Sequence, residues 1–221
     1  VLAETEEQKM AILDNLFRET YISDIVKRNK IRNVGELEAL LDILSSAIGA
    51  LTNPNKLQKT FKSVNCSKIT ATTITKYIEY LEDAFLIEEA VRYDIKGKSY
   101  IGTPLKYYFM DLGLRNARIN YRQIEITHSM ENVIYNELRM RGFSVDVGNL
   151  TIVENGKDGK AVKKQLEVDF ICNKGSKKYY IQSAYQLGTE EKLAQEIRPF
   201  LKINDSFKKI VITSDTPKPC Y

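Results

Sequence analysis

Leu166-Glu167-Val168-Asp169-Phe170-Ile171, carried across a Lys174-Gly175-Ser176-Lys177 turn into Tyr179-Tyr180-Ile181-Gln182-Ser183-Ala184-Tyr185, decides the fold. Aromatic and β-branched residues dominate both arms and Gly175 breaks the run, so the stretch predicts a buried β-hairpin. Glu167 and Asp169 are two residues apart, which places their side chains on one face of the first arm. A carboxylate pair on an apolar strand is costly to bury without hydrogen bonds or a cation. The same spacing suits the solvent side of an edge strand, and spacing alone leaves both readings open.

Working outward, Glu190 to Lys202 reads as a helix through Leu193, Ile197 and Leu201, and Lys209 to Thr213 as a last strand. Upstream, Phe143 to Val147 and Leu150 to Glu154 read as strands, joined to the hairpin by the polar loop Asn155 to Lys160. Before them a helix from about Ser129 to Arg141, with Val133, Ile134 and Leu138 on one face, ends at Gly142. Helix, strands, helix and strand predict an α/β unit with a mixed sheet over 121–221.

The first 120 residues have a different period. Helical spacing runs from Glu6 to Asn29, from Glu36 to Ala50, through a short helix with Leu57 and Phe61 after Asn53-Pro54, and from Ala71 to Phe85. Leu86 to Tyr93 then reads as a strand, Ile95-Lys96-Gly97-Lys98 as a turn, and Tyr100-Ile101 and Lys106 to Met110 as returning strands. Helices followed by a small hairpin are the order of a winged helix-turn-helix. Asp111 to Asn116 closes the unit, with Gly113 capping a short turn.

Apolar residues make up 43% and charged residues 28% of the 221 residues, ordinary values for a soluble globular protein. The net charge of +4 says little about partners, so local clustering matters more. Three scattered cysteines, Cys66, Cys172 and Cys220, predict reduced thiols and a cytoplasmic location. One histidine, His128, leaves no zinc-ligand set, and no apolar run is long enough for a membrane span.

Several short pieces in this order resemble one family: Tyr77-x-x-Tyr80-Leu81-Glu82, Arg92-Tyr93-Asp94, Asp111-x-Gly113-Leu114-Arg115-Asn116, Glu131-Asn132-x-x-Tyr135, Glu167-Val168-Asp169-Phe170 and Tyr180-Ile181-Gln182. Together they are similar to the C-terminal region, itself of unknown function, of bacterial and archaeal AAA-type P-loop ATPases. That region pairs a winged-helix-like unit with a restriction-endonuclease-like unit. The resemblance implies an ATPase domain upstream that binds ATP and Mg²⁺, and it makes this chain a fragment without a cofactor of its own. The upstream domain is then its first partner, with a helix such as Glu6 to Asn29 as connector. The nearest P-loop echo, Gly97-Lys98-Ser99, lacks the required earlier glycine, a place occupied by Arg92, and lies on a hairpin.

In the PD-(D/E)xK nuclease pattern a helix carboxylate, a strand Asp and a Glu-x-Lys on the next strand hold Mg²⁺ and position water. Here Glu131 and Asp169 keep two oxygens, but Gln182 and Ala184 stand in the Glu and Lys places. The resemblance therefore implies a vestigial site, with Glu131 and Asp169 the only metal-ligand candidates. Lys163, Lys164 and Lys178 are the neighbouring lysines that could replace the missing one.

A stronger signal is basic. No acidic residue occurs between Asp42 and Glu79, while Lys56, Lys59, Lys62, Lys68 and Lys76 all do. On a second helix of a helix-turn-helix, Thr72, Thr73 and Lys76 lie opposite the Ile74, Ile78 and Leu81 face and would approach a groove of double-stranded DNA. A solvated basic face or a protein-docking surface fits the same residues. The thirteen tyrosines, many in the first unit, could stack on bases but are read as core residues with a polar tip.

Overall fold

Alternating apolar residues build the strands, and stripes at helical spacing build the helices that cover them. The computed structural model describes residues 4–64, 67–122, 125–155 and 160–215. It is a mixed α/β chain of two compact units: Val1–Glu89 with Leu105–Glu125, and Ala90–Pro104 with Ile126–Tyr221. Cys66 and Cys220 lie outside the described residues, as does most of the Asn155 to Lys160 loop. Cys172 is a buried free thiol, and burial, with the Asp146 charge adding, pushes it up to about 12. Among the described residues no helix is long and apolar enough to cross a membrane.

The first unit begins with one helical run in three parts: α1 (Glu6–Asn15), a π-helical segment (Leu16–Ile22) and α2 (Ser23–Asn29). Thr5 and Gln8 form a capping box at its start, and Lys30, in the left-handed conformation, ends it. α1 buries no residue, so anchoring falls to Phe17, Ile22 and Ile25. α3 (Val34–Ser46), α4 (Pro54–Val64) and α5 (Ala71–Asp83) supply Leu37, Leu40, Leu41, Leu44, Leu57, Phe61, Ile74, Tyr77, Ile78 and Leu81 to the core. Between α3 and α4, Thr52 makes an isolated antiparallel bridge to Leu105, with both N–H···O distances 2.8 Å.

β1 (Ile87–Asp94) and β2 (Ser99–Phe109) form the hairpin, and α6 (Leu112–Arg118) follows. β2 is one strand where the sequence predicts two. It lies at the end of the sheet order, the edge position where a proline such as Pro104 is tolerated within a strand. Gly113 sits inside the first turn of α6 rather than capping a turn, because Asp111 accepts from the Gly113 and Leu114 amides and starts a helix. Tyr77, Tyr107 and Tyr108 are core residues as expected, whereas Tyr100 is exposed.

The second unit carries α7 (Ile126–Met140), β3 (Ser144–Asn155), β4 (Ala161–Lys174), β5 (Lys177–Ala184), α8 (Glu190–Leu201) and β6 (Lys208–Thr213). The described strands form a six-stranded mixed sheet in the order β2-β1-β3-β4-β5-β6. β4 pairs antiparallel with β3 and β5, while β1 with β3 and β5 with β6 run parallel. Residues 92–94 of β1 pair with 147–149, which is why the hairpin tip groups with this unit.

Leu150, Ile152, Val168, Ile171 and Tyr180 bury against Phe200 and Ile203 on the α8 side. Phe170, paired with Ile181, faces the other way and meets Tyr135 of α7, ring centroids 6.1 Å apart. β3 is continuous through Gly148, where two strands were expected. A Cβ there would stand 2.8 Å from Val168 Cβ, so the glycine serves close strand packing rather than a turn. Val133, Leu193 and Leu201 are exposed, whereas Ile134, Leu138 and Ile197 face the core as expected, joined by Tyr135 and Phe200.

The polar anchor of the first unit is Arg115, 2% exposed. Its Nε donates to the Ser45 carbonyl in the last turn of α3 at 2.8 Å, and Nη1 to Asn116 Oδ1 at 3.0 Å. It satisfies a helix-end carbonyl and places a cation at the negative end of the helix. Arg115→Ala should therefore cost about 3 kcal/mol, from an unpaired carbonyl plus a cavity. Urea unfolding reads this directly, and a loss below about 0.5 kcal/mol would refute the anchoring role.

Candidate functional site

β4 has one residue more than β3 opposite it: Gly148 pairs with Val168 and Asp146 with Ile171, leaving Asp169 and Phe170 across from Val147. Such a bulge leaves backbone groups without ladder partners and re-aims a side chain. Asp169 supplies the missing acceptor, taking the Ser183 amide on Oδ2 at 2.7 Å, and Gln182 Oε1 takes the Asp169 amide at 3.4 Å. Gln182 Nε2 then reaches Glu196 of α8 at 3.3 Å, and Glu196 is paired with Lys192 at 2.7 Å.

Asp169 and Gln182 thus come together, but as side chains completing the sheet. Glu131 is buried within α7 rather than at its start, and Gln182 is directed to α8. Ala184 is buried and offers no polar atom. Lys163 and Lys164 are exposed on the far half of β4, and the Lys178 ammonium rests on the rings of Tyr93, Tyr180 and Phe207. No group of three His, Cys, Asp or Glu able to hold a metal exists among the described residues. Asp169 and Gln182 each already accept a backbone N–H, and Ala184 adds no oxygen, a donor set that does not fit a Mg²⁺ site.

The basic residues lie together on α4, α5 and their connection. Lys56, Lys59, Lys62, Lys68, Thr72 and Lys76 are exposed opposite the buried Leu57, Phe61, Ile74 and Ile78. Among the described residues none of these lysines is in an ion pair. Lys62 and Lys68 line a cleft of about 430 Å³ with Gln58, Ser67 and Ile69. Thr73 is half-buried in the first turn of α5, its hydroxyl 3.0 Å from that of Thr70 and its amide donating to the capping Thr70 hydroxyl.

The other end of α5 is acidic, with Glu79, Glu82 and Asp83 in its last turns. Glu82 Oε1 accepts the Glu89 amide at 3.1 Å. Burial, with the Glu89, Glu79 and Asp83 charges adding, pushes Glu82 up to about 7 against the pull of that hydrogen bond. Burial also raises Glu89 and Tyr107.

The family model described as a domain of unknown function, DUF8612, matches residues 1–125. A protein of Haemophilus influenzae described as uncharacterized is 34% identical over 213 residues, covering 96% of this chain and 49% of that protein. Another, from Methanocaldococcus jannaschii and likewise described as uncharacterized, is 30% identical over 220 residues, covering 97% of this chain and 46% of that protein. The chain spans about half the length of these relatives. No solved structure matches it.

The Glu82 environment gives a prediction with a definite sign. Its folded pKa is raised, so its contribution to stability is fully present below about 4.5 and is lost as pH rises through about 7. Glu82→Gln keeps the acceptor and removes the charge. It should stabilise the fold by about 1 kcal/mol at pH 8, well short of full linkage because the carboxyl is partly solvated, and change little at pH 4. Denaturation midpoints at the two pH values check this. An equal effect at both would contradict it.

Proposed function

The chain belongs to the DUF8612 family, and we propose that it is the non-catalytic recognition region of a larger AAA-type ATPase, holding double-stranded DNA through α4 and α5. The observation that carries the proposal is the α4–α5 face, five exposed lysines on a stretch with no acidic residue. The order α3, a bridged Thr52, α4, α5 and the β1–β2 hairpin supports a winged-helix reading of the first unit. In that reading α5 enters the groove, and lysines on α4 and at the start of α5 hold phosphates.

The ATPase part of the proposal rests on the family resemblance. The chain accounts for about half of each relative's length, which leaves room for a nucleotide-binding domain. Asp94 Oδ1 accepts from the Lys96 and Gly97 amides, each at 3.0 Å, so the two amides that lead into the Gly97-Lys98-Ser99 turn are engaged within the hairpin. This supports placing nucleotide chemistry elsewhere in the full protein.

The order α7, β3-β4-β5, α8, β6 supports a nuclease-like ancestry for the second unit. Its donor set supports loss of cleavage, because Asp169 and Gln182 act as sheet acceptors and Ala184 leaves the lysine place empty. The chain should leave plasmid and branched DNA intact in Mg²⁺ or Mn²⁺. Nicking that disappears in Asp169→Ala would reinstate the nuclease reading.

Duplex binding is tested by its salt dependence. Each neutralised phosphate contributes roughly 0.9 to the log–log slope, so contact through most of the five lysines gives a slope of about −4. Lys68→Glu with Lys76→Glu should weaken binding across all sequences and shallow the slope by about 2. Binding that is salt-insensitive, or absent at low salt, would favour a protein-docking surface instead.

A further inference from the structure

The second unit carries another basic surface, which the duplex-binding reading leaves unused. A cleft of about 370 Å³ is lined by residues from the turn after β1, from β5 and from the segment after α8. Four of the lining residues, Lys96, Lys98, Lys178 and Lys202, are lysines, and none is in an ion pair among the described residues. The one lining carboxylate, Asp205, is already engaged. It accepts from Tyr180 Oη at 2.6 Å, from Lys209 Nζ at 3.2 Å and from the Phe207 amide at 3.2 Å.

Lys178 is the centre of this arrangement. Its ammonium lies 5.5 Å from the Tyr93 ring, 5.2 Å from Tyr180 and 5.5 Å from Phe207. Rings hold a cation in place but satisfy none of its N–H donors. Among the described residues it makes no hydrogen bond, and the Asp146 carboxylate acts on it only through space. A half-buried, caged ammonium with free donors matches the oxygens of a phosphate. Around it the aromatic surface is accessible: Phe207 is 42% exposed, and Tyr100, edge-on to Tyr93 at 5.3 Å, is 64% exposed.

Phosphate-binding cations beside open ring faces are the two parts of a single-strand nucleic-acid site. A duplex keeps its bases stacked and cannot offer one to Phe207, whereas a single strand can. We propose that this cleft holds a nucleotide of single-stranded nucleic acid, its phosphate on Lys178 with Lys96, Lys98 and Lys202 around it and its base on Phe207. The proposal stands on the second unit alone and does not rest on the duplex-binding reading of α4 and α5.

Fluorescence anisotropy of a labelled short oligothymidylate with the full chain at low salt tests it. Lys178→Gln should weaken binding on the order of tenfold, and Phe207→Leu severalfold. Should Lys178→Gln disturb packing, Lys98→Glu with Lys202→Glu changes only exposed positions and should weaken binding comparably. Lys68→Glu with Lys76→Glu, the pair that tests duplex binding, should leave the single-strand affinity within about twofold. Absence of binding at low salt, or unchanged affinity in the Lys98 and Lys202 variant, would overturn the proposal. So would loss of binding in the Lys68 and Lys76 variant. Displacement of the oligomer by micromolar thymidine monophosphate would overturn the strand assignment in favour of a free nucleotide.

Discussion

The Asp169 carboxylate, accepting the Ser183 amide at 2.7 Å beside an extra residue in β4, is the contact on which the second unit turns. A backbone N–H left without an acceptor between two central strands would cost about 1–3 kcal/mol. Asp169 removes that cost, and Gln182 does the same for the Asp169 amide. Gln182 is then tied to Glu196, so the bulge is linked to α8 by side chains alone. A carboxylate bound in this way has a structural reason to be present whether or not it ever held a metal. The residue that most invites a catalytic reading is thus explained by backbone satisfaction.

With the sheet centre committed to structure, the unspent chemistry lies on the surface. On α5 the charge is divided along the axis: Lys76 and the Lys68 approach lie toward one end, and Glu79, Glu82, Asp83 and Glu89 gather at the other. An anion approaching the helix meets attraction only at its N-terminal half, where the helix dipole acts in the same direction. In the second unit the same logic applies to Lys178, held by rings rather than by a carboxylate. Both surfaces carry lysines that, among the described residues, stand outside ion pairs.

Much of the fold was legible because its elements follow simple periods. The hairpin around Gly175 was readable from β-branched and aromatic residues, and α3 and α5 from Leu and Ile at helical spacing. Misreadings arose where one residue type serves two purposes. Gly148 looks like a strand break but admits Val168, and Gly113 looks like a cap but follows the capping Asp111. Val133 and Leu201 are apolar yet exposed, since periodicity does not say which side of a broad stripe is covered. At the site, the basic face was visible as a gap in acidic residues. The Lys178 cage was not, because it joins residues far apart in sequence and depends on strand pairing, and the Glu82–Glu89 contact depends on how the chain turns between α5 and β1.

On the proposed reading, duplex DNA meets α4 and α5 and is not cut at the sheet centre. Amide chemical-shift mapping with a short duplex, without divalent metal, tests that claim most directly. The account predicts shifts concentrated in Pro54–Val64 and Ala71–Asp83, with Asp169 and Gln182 unmoved. Shifts centred on Asp169, Gln182 and Ser183, or spread evenly over the chain, would contradict it.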